Sequence, residues 1–243
     1  MLTDTHCHLA DQPLFDDLPG VLERARNAGV KAMVVPSSSM GDWERVASLA
    51  RRPGITAAFG VHPWNAREGV DLPSLRNRLA EAVALGEVGL DWKVDVPRNI
   101  QMDCLEAQLI LARELGLPVL LHCRGAFNEL LELLKAHPPK GAVIHAFSRG
   151  PELMRRFLEQ GCHIGFGGAV TRAGAGNARA SVVEVPEDRF VLETDAPWIG
   201  VEGGPSEPSS LPRVAGTVAF LRGVSRKRVE AASSESADRL GLL

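Results

Sequence analysis

Residues 97–124, PRNIQMDCLEAQLILARELGLPVLLHCR, hold one complete structural unit: a long amphipathic stretch opened by a proline, closed by a glycine, and followed by a short apolar run ending on His122. Pro at the start and Gly just past the end is how helices are usually punctuated. The run after it reads as a buried strand. A helix placed between strands is the crossover that parallel pairing requires, so the fold depends on how often the unit repeats.

It repeats from one end of the chain to the other. Strand candidates fall at 2–6, 30–36, 55–61, 83–88, 117–122, 142–146, 162–166 and 190–194. Between them lie helical patterns such as LPGVLERARNAG, MGDWERVASLARR, AFNELLELLKAHPP and GPELMRRFLEQG, with less regular ones near 177–184 and 211–223. About eight such units in roughly 250 residues is the count of a TIM barrel rather than an open doubly wound sheet. The expected fold is therefore α/β, a single TIM (β/α)8 barrel with an extra C-terminal helix, SRKRVEAASSESADRL, lying outside the barrel. The Gly-, Pro- and Ser-rich stretch 200–212 reads as one long loop after the last strand, so residues 1–243 are expected to form a single domain.

Composition narrows the function classes. With 27 Lys and Arg against 30 Asp and Glu, the net charge of −3 provides no global field for a polyanion, so any nucleic-acid contact must be local. Cys7, Cys104, Cys123 and Cys162 form no CxxC pair and are too sparse for a disulfide scaffold; a reducing, cytoplasmic setting is expected. No apolar run approaches the ~20 residues of a membrane span, and the opening residues lack the plan of a signal peptide.

The polar residues at the strand ends carry the chemistry. His6 and His8 end the first strand, His62 the third, Glu87 the fourth, His122 the fifth, His145 the sixth and Asp195 the eighth. Singly, each has a structural explanation: a strand-end imidazole is commonly a hydrogen-bonded core residue, and a strand-end acid commonly faces a helix N-terminus. Independent caps and core histidines have no reason to choose the same end of so many strands, and in a barrel those ends converge on one face, where active sites are built. Divalent metal accepts neutral imidazole and carboxylate together and removes the cost of burying them. In DTHCHL, residues two apart share a face, so His6 and His8 can ligate one ion while Cys7 turns toward the helices. Cys123 is expected to turn away in the same manner. Paired ions lie ~3.5–4 Å apart, within reach of a single bridging carboxylate, and Glu87 is the candidate. His137 reads as a dipole-favoured residue at a helix end, and His163 as structural.

The segments DTHCHL (4–9), GVHP (60–63), GEVGLDW (86–92), PVLLHCR (118–124), VIHAFS (143–148) and ETDAPW (193–198), collinear over nearly the whole chain, resemble the TatD-related metal-dependent deoxyribonucleases of the amidohydrolase superfamily. The resemblance implies that His6, His8 and Asp195 hold one metal, that His122 and His145 hold a second, and that Glu87 bridges them. It implies that His62 lies on the substrate side near the phosphate, with Asp4 and Asp91 orienting ligands. The chain departs from the family pattern at Ser206–Glu207–Pro208, where Asn-Glu-Pro is common, at Lys93 in place of an Arg, and in its SSESADRLGLL ending.

The implied reaction is hydrolysis of a nucleic-acid phosphodiester by a water activated by two divalent ions, with Asp195 as general base. The expected cofactors are two divalent metal ions, zinc foremost on the imidazole-rich ligands, with Mn or Mg compatible with the carboxylates. Arg124, Arg149 and Arg172 could take phosphates, and Trp64 and Trp198 could stack bases of DNA or RNA. No membrane and no obligate protein partner are expected. The alternative is a metal-dependent amidohydrolase or lactonase acting on a small amide or ester; such enzymes often place a carboxylated lysine where this chain has Glu87. A 3'-5' exonuclease acting on single strands or ends suits the charge better than a binder of long duplex.

Overall fold

In a computed structural model, residues 2–201 and 205–243 are described. Eight parallel strands form one sheet in sequence order: β1 Leu2–Asp4, β2 Val30–Pro36, β3 Ile55–Phe59, β4 Ala84–Asp91, β5 Val119–Arg124, β6 Ala142–Ile144, β7 Cys162–Phe166 and β8 Phe190–Leu192. The α-helices between and after them are α1 Gln12–Phe15, α2 Leu18–Asn27, α3 Trp43–Ala50, α4 Leu72–Leu79, α5 Arg98–Leu115, α6 Phe127–Ala136, α7 Pro151–Glu159, α8 Gly176–Glu184, α9 Leu211–Arg222 and α10 Arg226–Leu240. This is the expected TIM barrel. Of the loop expected over 200–212, residues 202–204 lie outside the described residues, Pro208–Ser210 forms a 3-10 turn and α9 begins at Leu211.

Burial alternates along the strands as a barrel requires. Met33 and Val35, Val119 and Leu121, and Phe190 and Leu192 pack in the large apolar layer under the helices. Their neighbours Val34, Leu120 and Val191 join Ala58, Ala84 and Val143 in a separate cluster that fills the lumen. Ala237, Leu240 and Leu242 belong to that inner cluster too. The last helix stands outside the wall as expected; its end in addition plugs the barrel floor, and Thr56 Oγ1 donates to the Leu242 carbonyl at 3.2 Å.

The seam between β8 and β1 is closed beyond the ladder-bearing residues of both strands. Thr5 N–H donates to Leu192 C=O (3.1 Å), Asp195 N–H to His6 C=O (2.9 Å) and His8 N–H to Ala196 C=O (2.7 Å). The residues that complete the barrel are thus the ones that carry His6, His8 and Asp195. Asp4, fully buried, locks the seam: it accepts from the Thr194 amide (3.0 Å), the Thr194 hydroxyl (2.6 Å) and the His6 amide (3.3 Å). Burial outweighs these bonds and pushes its carboxyl up to about 7.

Helix α5, the helix of the opening stretch, positions two neighbouring loops. It ends at Gly116 with φ +63°, the left-handed stop expected from the sequence. Gln101 and Gln108, seven residues apart on its buried face, bond to main chain rather than to each other. The Gln108 amide pairs with both polar groups of Val61 (2.8 and 3.2 Å), and Gln101 with both of Asp91 (2.7 and 2.9 Å). The loop bearing His62 and the end of β4 bearing Asp91 are therefore fixed by a helix that never reaches the site.

Candidate metal centre

At the carboxyl ends of the strands lies a cavity of about 570 Å³ whose lining includes His62, Trp64, Glu87, His122, Arg124, His145, Asp195 and Trp198. His6 and His8 lie buried, and the Glu87 carboxylate is the hub. Its Oε2 meets Nε2 of His6 at 3.3 Å and Nε2 of His8 at 3.2 Å, and those two nitrogens are 3.2 Å apart. Its Oε1 meets Nδ1 of His122 at 3.2 Å and Nε2 of His145 at 2.8 Å, and those nitrogens are also 3.2 Å apart. Each oxygen of one carboxylate therefore closes a triangle with two ring nitrogens.

The size of the triangles tests the donor set. A tetrahedral ion with bonds of ~2.0 Å sets its donors ~3.3 Å apart, which matches five of the six edges closely. Asp195 Oδ1 stands 3.6 Å from His8 Nε2, beside the first triangle. The residues present fit a divalent metal.

Charge leads to the same reading. Burial opposes ionisation of Glu87, yet the imidazoles of His145, His62 and His6 hold its carboxyl well below the usual range. Asp195 is held down against burial by the His8 bond. Burial works against protonated His8 and His145, but carboxylates prevail and raise both rings, His8 to about 10. Two ionised acids buried together need positive charge close by, which protonated His8 and His145 or a metal ion in their place can supply.

The outer partners fix ring orientation. Asp91 Oδ2 lies 3.4 Å from His122 Nε2, which leaves Nδ1 facing Glu87, and accepts the Trp64 indole N–H at 2.9 Å. His62 Nδ1 accepts from the Trp64 amide at 3.2 Å, so its proton sits on Nε2, 3.3 Å from Glu87 Oε1. Burial lowers the pKa of this ring, which keeps it neutral. Its Nε2 stands as far from Glu87 as that of His6, and His62, Glu87 and His122 form a further group able to hold a metal ion.

Other expectations fare differently. Arg124 lines the cavity, whereas Arg149 and Arg172 lie outside its lining, Arg149 stacking on Phe127 at 4.9 Å. Trp64 and Trp198 are exposed at the mouth, and the Trp198 indole donates to Asp11 at 3.1 Å. Cys123 does not turn away as expected; it lines the cavity, and burial pushes its thiol up to about 12. Cys7 is buried under the helices. His137 caps α6 as expected, with its ring 2.8 Å from Glu106. Glu207 is drawn off to Arg24 at 2.8 Å.

Glu193 was missed. It is fully buried, accepts the Ala146 amide at 2.5 Å and stands 3.7 Å from His145 Nδ1. Ala146 and Asp195, both beside it, adopt positive φ (47° and 50°), a strained backbone that such local bonds sustain. The ETD motif holds the signal, but only its second acid, Asp195, stands just past the expected strand end at residue 194.

A TIM barrel whose C-terminal mouth gathers imidazoles around shared carboxylates defines the class: a metal-dependent hydrolase. The family model for TatD related DNase matches residues 3–240, and the chain belongs to that family. It is 36% identical over 231 residues to the uncharacterized metal-dependent hydrolase YjjV of Escherichia coli K12, covering 90% of this chain and 89% of that protein. It is 36% identical over 259 residues to the 3'-5' ssDNA/RNA exonuclease TatD of Erwinia tasmaniensis, covering 98% of both. The crystal structure of the E. coli YjjV TatD homologue superposes with a TM-score of 0.92 at 34% identity, over 98% of this chain and 97% of that one.

Proposed function

We propose that the protein is a two-metal phosphodiesterase that removes nucleotides from the 3' end of single-stranded DNA or RNA. The observation that carries this reading is Glu87, each of whose oxygens closes its own triangle of donors. In this reading His6, His8 and Asp195 would hold one divalent ion, His122 and His145 would hold a second, and Glu87 would serve both. Bound divalent ions would supply Lewis acidity, lowering the pKa of a water and neutralising phosphoryl charge; zinc fits the imidazoles best, Mn and Mg less well.

The chain's own groups divide the remaining work. The Asp195 carboxylate, kept ionised, takes the proton from the attacking water. His62 Nε2–H and the Arg124 guanidinium donate to the non-bridging phosphate oxygens, and the indoles of Trp64 and Trp198 flank the terminal bases. Arg149 and Arg172, outside the lining, are left to more distant phosphates. The protein works as one 1–243 unit without an obligate protein partner, in the reducing cytoplasm that suits its four free cysteines.

End-labelled single-stranded and duplex oligonucleotides, assayed with several divalent metals, test the proposal. The expected result is a ladder shrinking from the 3' end of single strands, abolished by chelator and reduced ~10²–10⁴-fold by Asp195→Asn. Full activity in Asp195→Asn would refute the base assignment. Metal-dependent cleavage of small esters or amides with intact oligonucleotide would favour the amidohydrolase alternative.

A further inference from the structure

Beside the metal cavity lies a second groove of about 500 Å³, lined by Trp92, Arg98, Gly125, Phe127, Glu129 and Arg156 among others. The two share a wall: Arg124 lines the cavity, its successor Gly125 lines the groove, and the Trp92 amide donates to the Arg124 carbonyl at 2.8 Å. The groove combines two features that a nucleic-acid strand uses. Aromatic surface comes from Trp92 and Phe127, both half-buried at its walls. Positive charge comes from Arg98 and Arg156 in its lining, Arg98 lying 5.1 Å over Trp92, while Arg149, outside the lining, lies 4.9 Å over Phe127.

The charge is uncompensated. Arg76, Arg155 and Arg228 elsewhere on the surface are paired with carboxylates. Among the described residues Arg98, Arg124, Arg149 and Arg156 form no ion pair; Arg156 bonds the neutral Asn128 Oδ1 at 2.9 Å. A single carboxylate, Glu129, lines the groove. On a chain of net charge −3, Arg98 and Arg156 against Glu129 leave the groove lining with positive charge, the sign a phosphate backbone needs, and Arg124 continues it into the metal cavity.

We infer that this groove binds the uncut part of a single-stranded nucleic acid whose end occupies the metal cavity, with phosphates on Arg98 and Arg156 and bases against the Trp92 and Phe127 walls. The inference rests on the nuclease reading above and adds a second binding segment to it. Aromatic walls without base-edge donors make the binding sequence-tolerant.

The test uses metal-loaded enzyme and 5'-fluorescein oligothymidylates of two, four and eight nucleotides, with bis(p-nitrophenyl) phosphate as a nucleic-acid-free substrate. In the wild type, KM should fall several-fold from the dinucleotide to the octanucleotide. In R98Q/R156Q that length dependence should collapse, and the salt slope of octanucleotide kcat/KM should become shallower by about 1.4, or ~0.7 for each lost phosphate contact on a single strand. R98K/R156K, keeping the charge, should retain most of the slope. Both arginines are exposed, so thermal melting should be unaltered. A wild-type length dependence and salt slope that persist in R98Q/R156Q would overturn the groove and leave the nuclease reading standing. Hydrolysis of bis(p-nitrophenyl) phosphate with no oligothymidylate cleavage by the wild type would overturn both.

Discussion

Asp91 shares one carboxylate between a substrate-side tryptophan and an imidazole of the hub: Oδ2 takes the Trp64 indole N–H and faces His122 Nε2. It thereby keeps the other His122 nitrogen directed at Glu87. Asp91→Asn should lower metal affinity ~10- to 100-fold, measured by competition with a chromogenic chelator, while the fold persists. An unchanged affinity would reduce Asp91 to a holder of Trp64. His163 gives a prediction of a different kind. Burial, then Arg189 and Arg239, lower its pKa from 6.5 to about 4. Between those values the unfolded chain binds a proton that the folded one refuses. Stability is therefore fully present above pH 6.5, falls as the pH drops toward 4 and levels off below it. Urea midpoints compared across that window should show a shallower acid limb in His163→Gln than in the wild type.

Strands and helices were legible in the sequence to different depths, for physical reasons. Residues 30–36 and 162–166 form β2 and β7 with the bounds expected, because each strand pairs with one neighbour over its first half and with the other over its second, so a ladder runs along its length. β1 and β8 stop short of their expected ends, since the residues beyond Asp4 and Leu192 bond across the seam instead of continuing a regular ladder. Helix α4, LPSLRNRL, is absent from the sequence patterns because it buries only Leu75 and Leu79 among arginines. The metal donors could be read from position at strand ends alone. Gln101, Gln108 and Glu193 could not: each acts through a contact in the folded chain that leaves no local periodicity. Gly89 shows the pairing at its tightest. It has φ +150° and pairs with His122 across β4 and β5, and a Cβ there would lie 2.0 Å from the His122 carbonyl oxygen. Gly89→Ala should cost at least ~2 kcal/mol and reduce metal content, read by thermal melting and elemental analysis. Normal metal loading in that variant would separate strand register from the site.

At the scale of the whole molecule, the two ends of the barrel do separate jobs. The floor is apolar and sealed by the tail, with Leu240 and Leu242 in the lumen cluster; the mouth is polar and charged. Leu240→Ala should destabilise the protein by ~2–4 kcal/mol in urea while leaving the KM of the folded enzyme unchanged, because the cavity it creates lies at the opposite end from the chemistry. A changed KM would mean that floor packing reaches the mouth. Among the described residues no helix is long and apolar enough to cross a membrane. If the two Glu87 oxygens serve two ion sites, their loss must empty both. Equilibrium dialysis against zinc or manganese, followed by elemental analysis, tests it most directly. Two ions per wild-type chain are expected, with a loss at both sites, to below one ion, in Glu87→Gln. A single ion in the wild type, or two retained in Glu87→Gln, would contradict it.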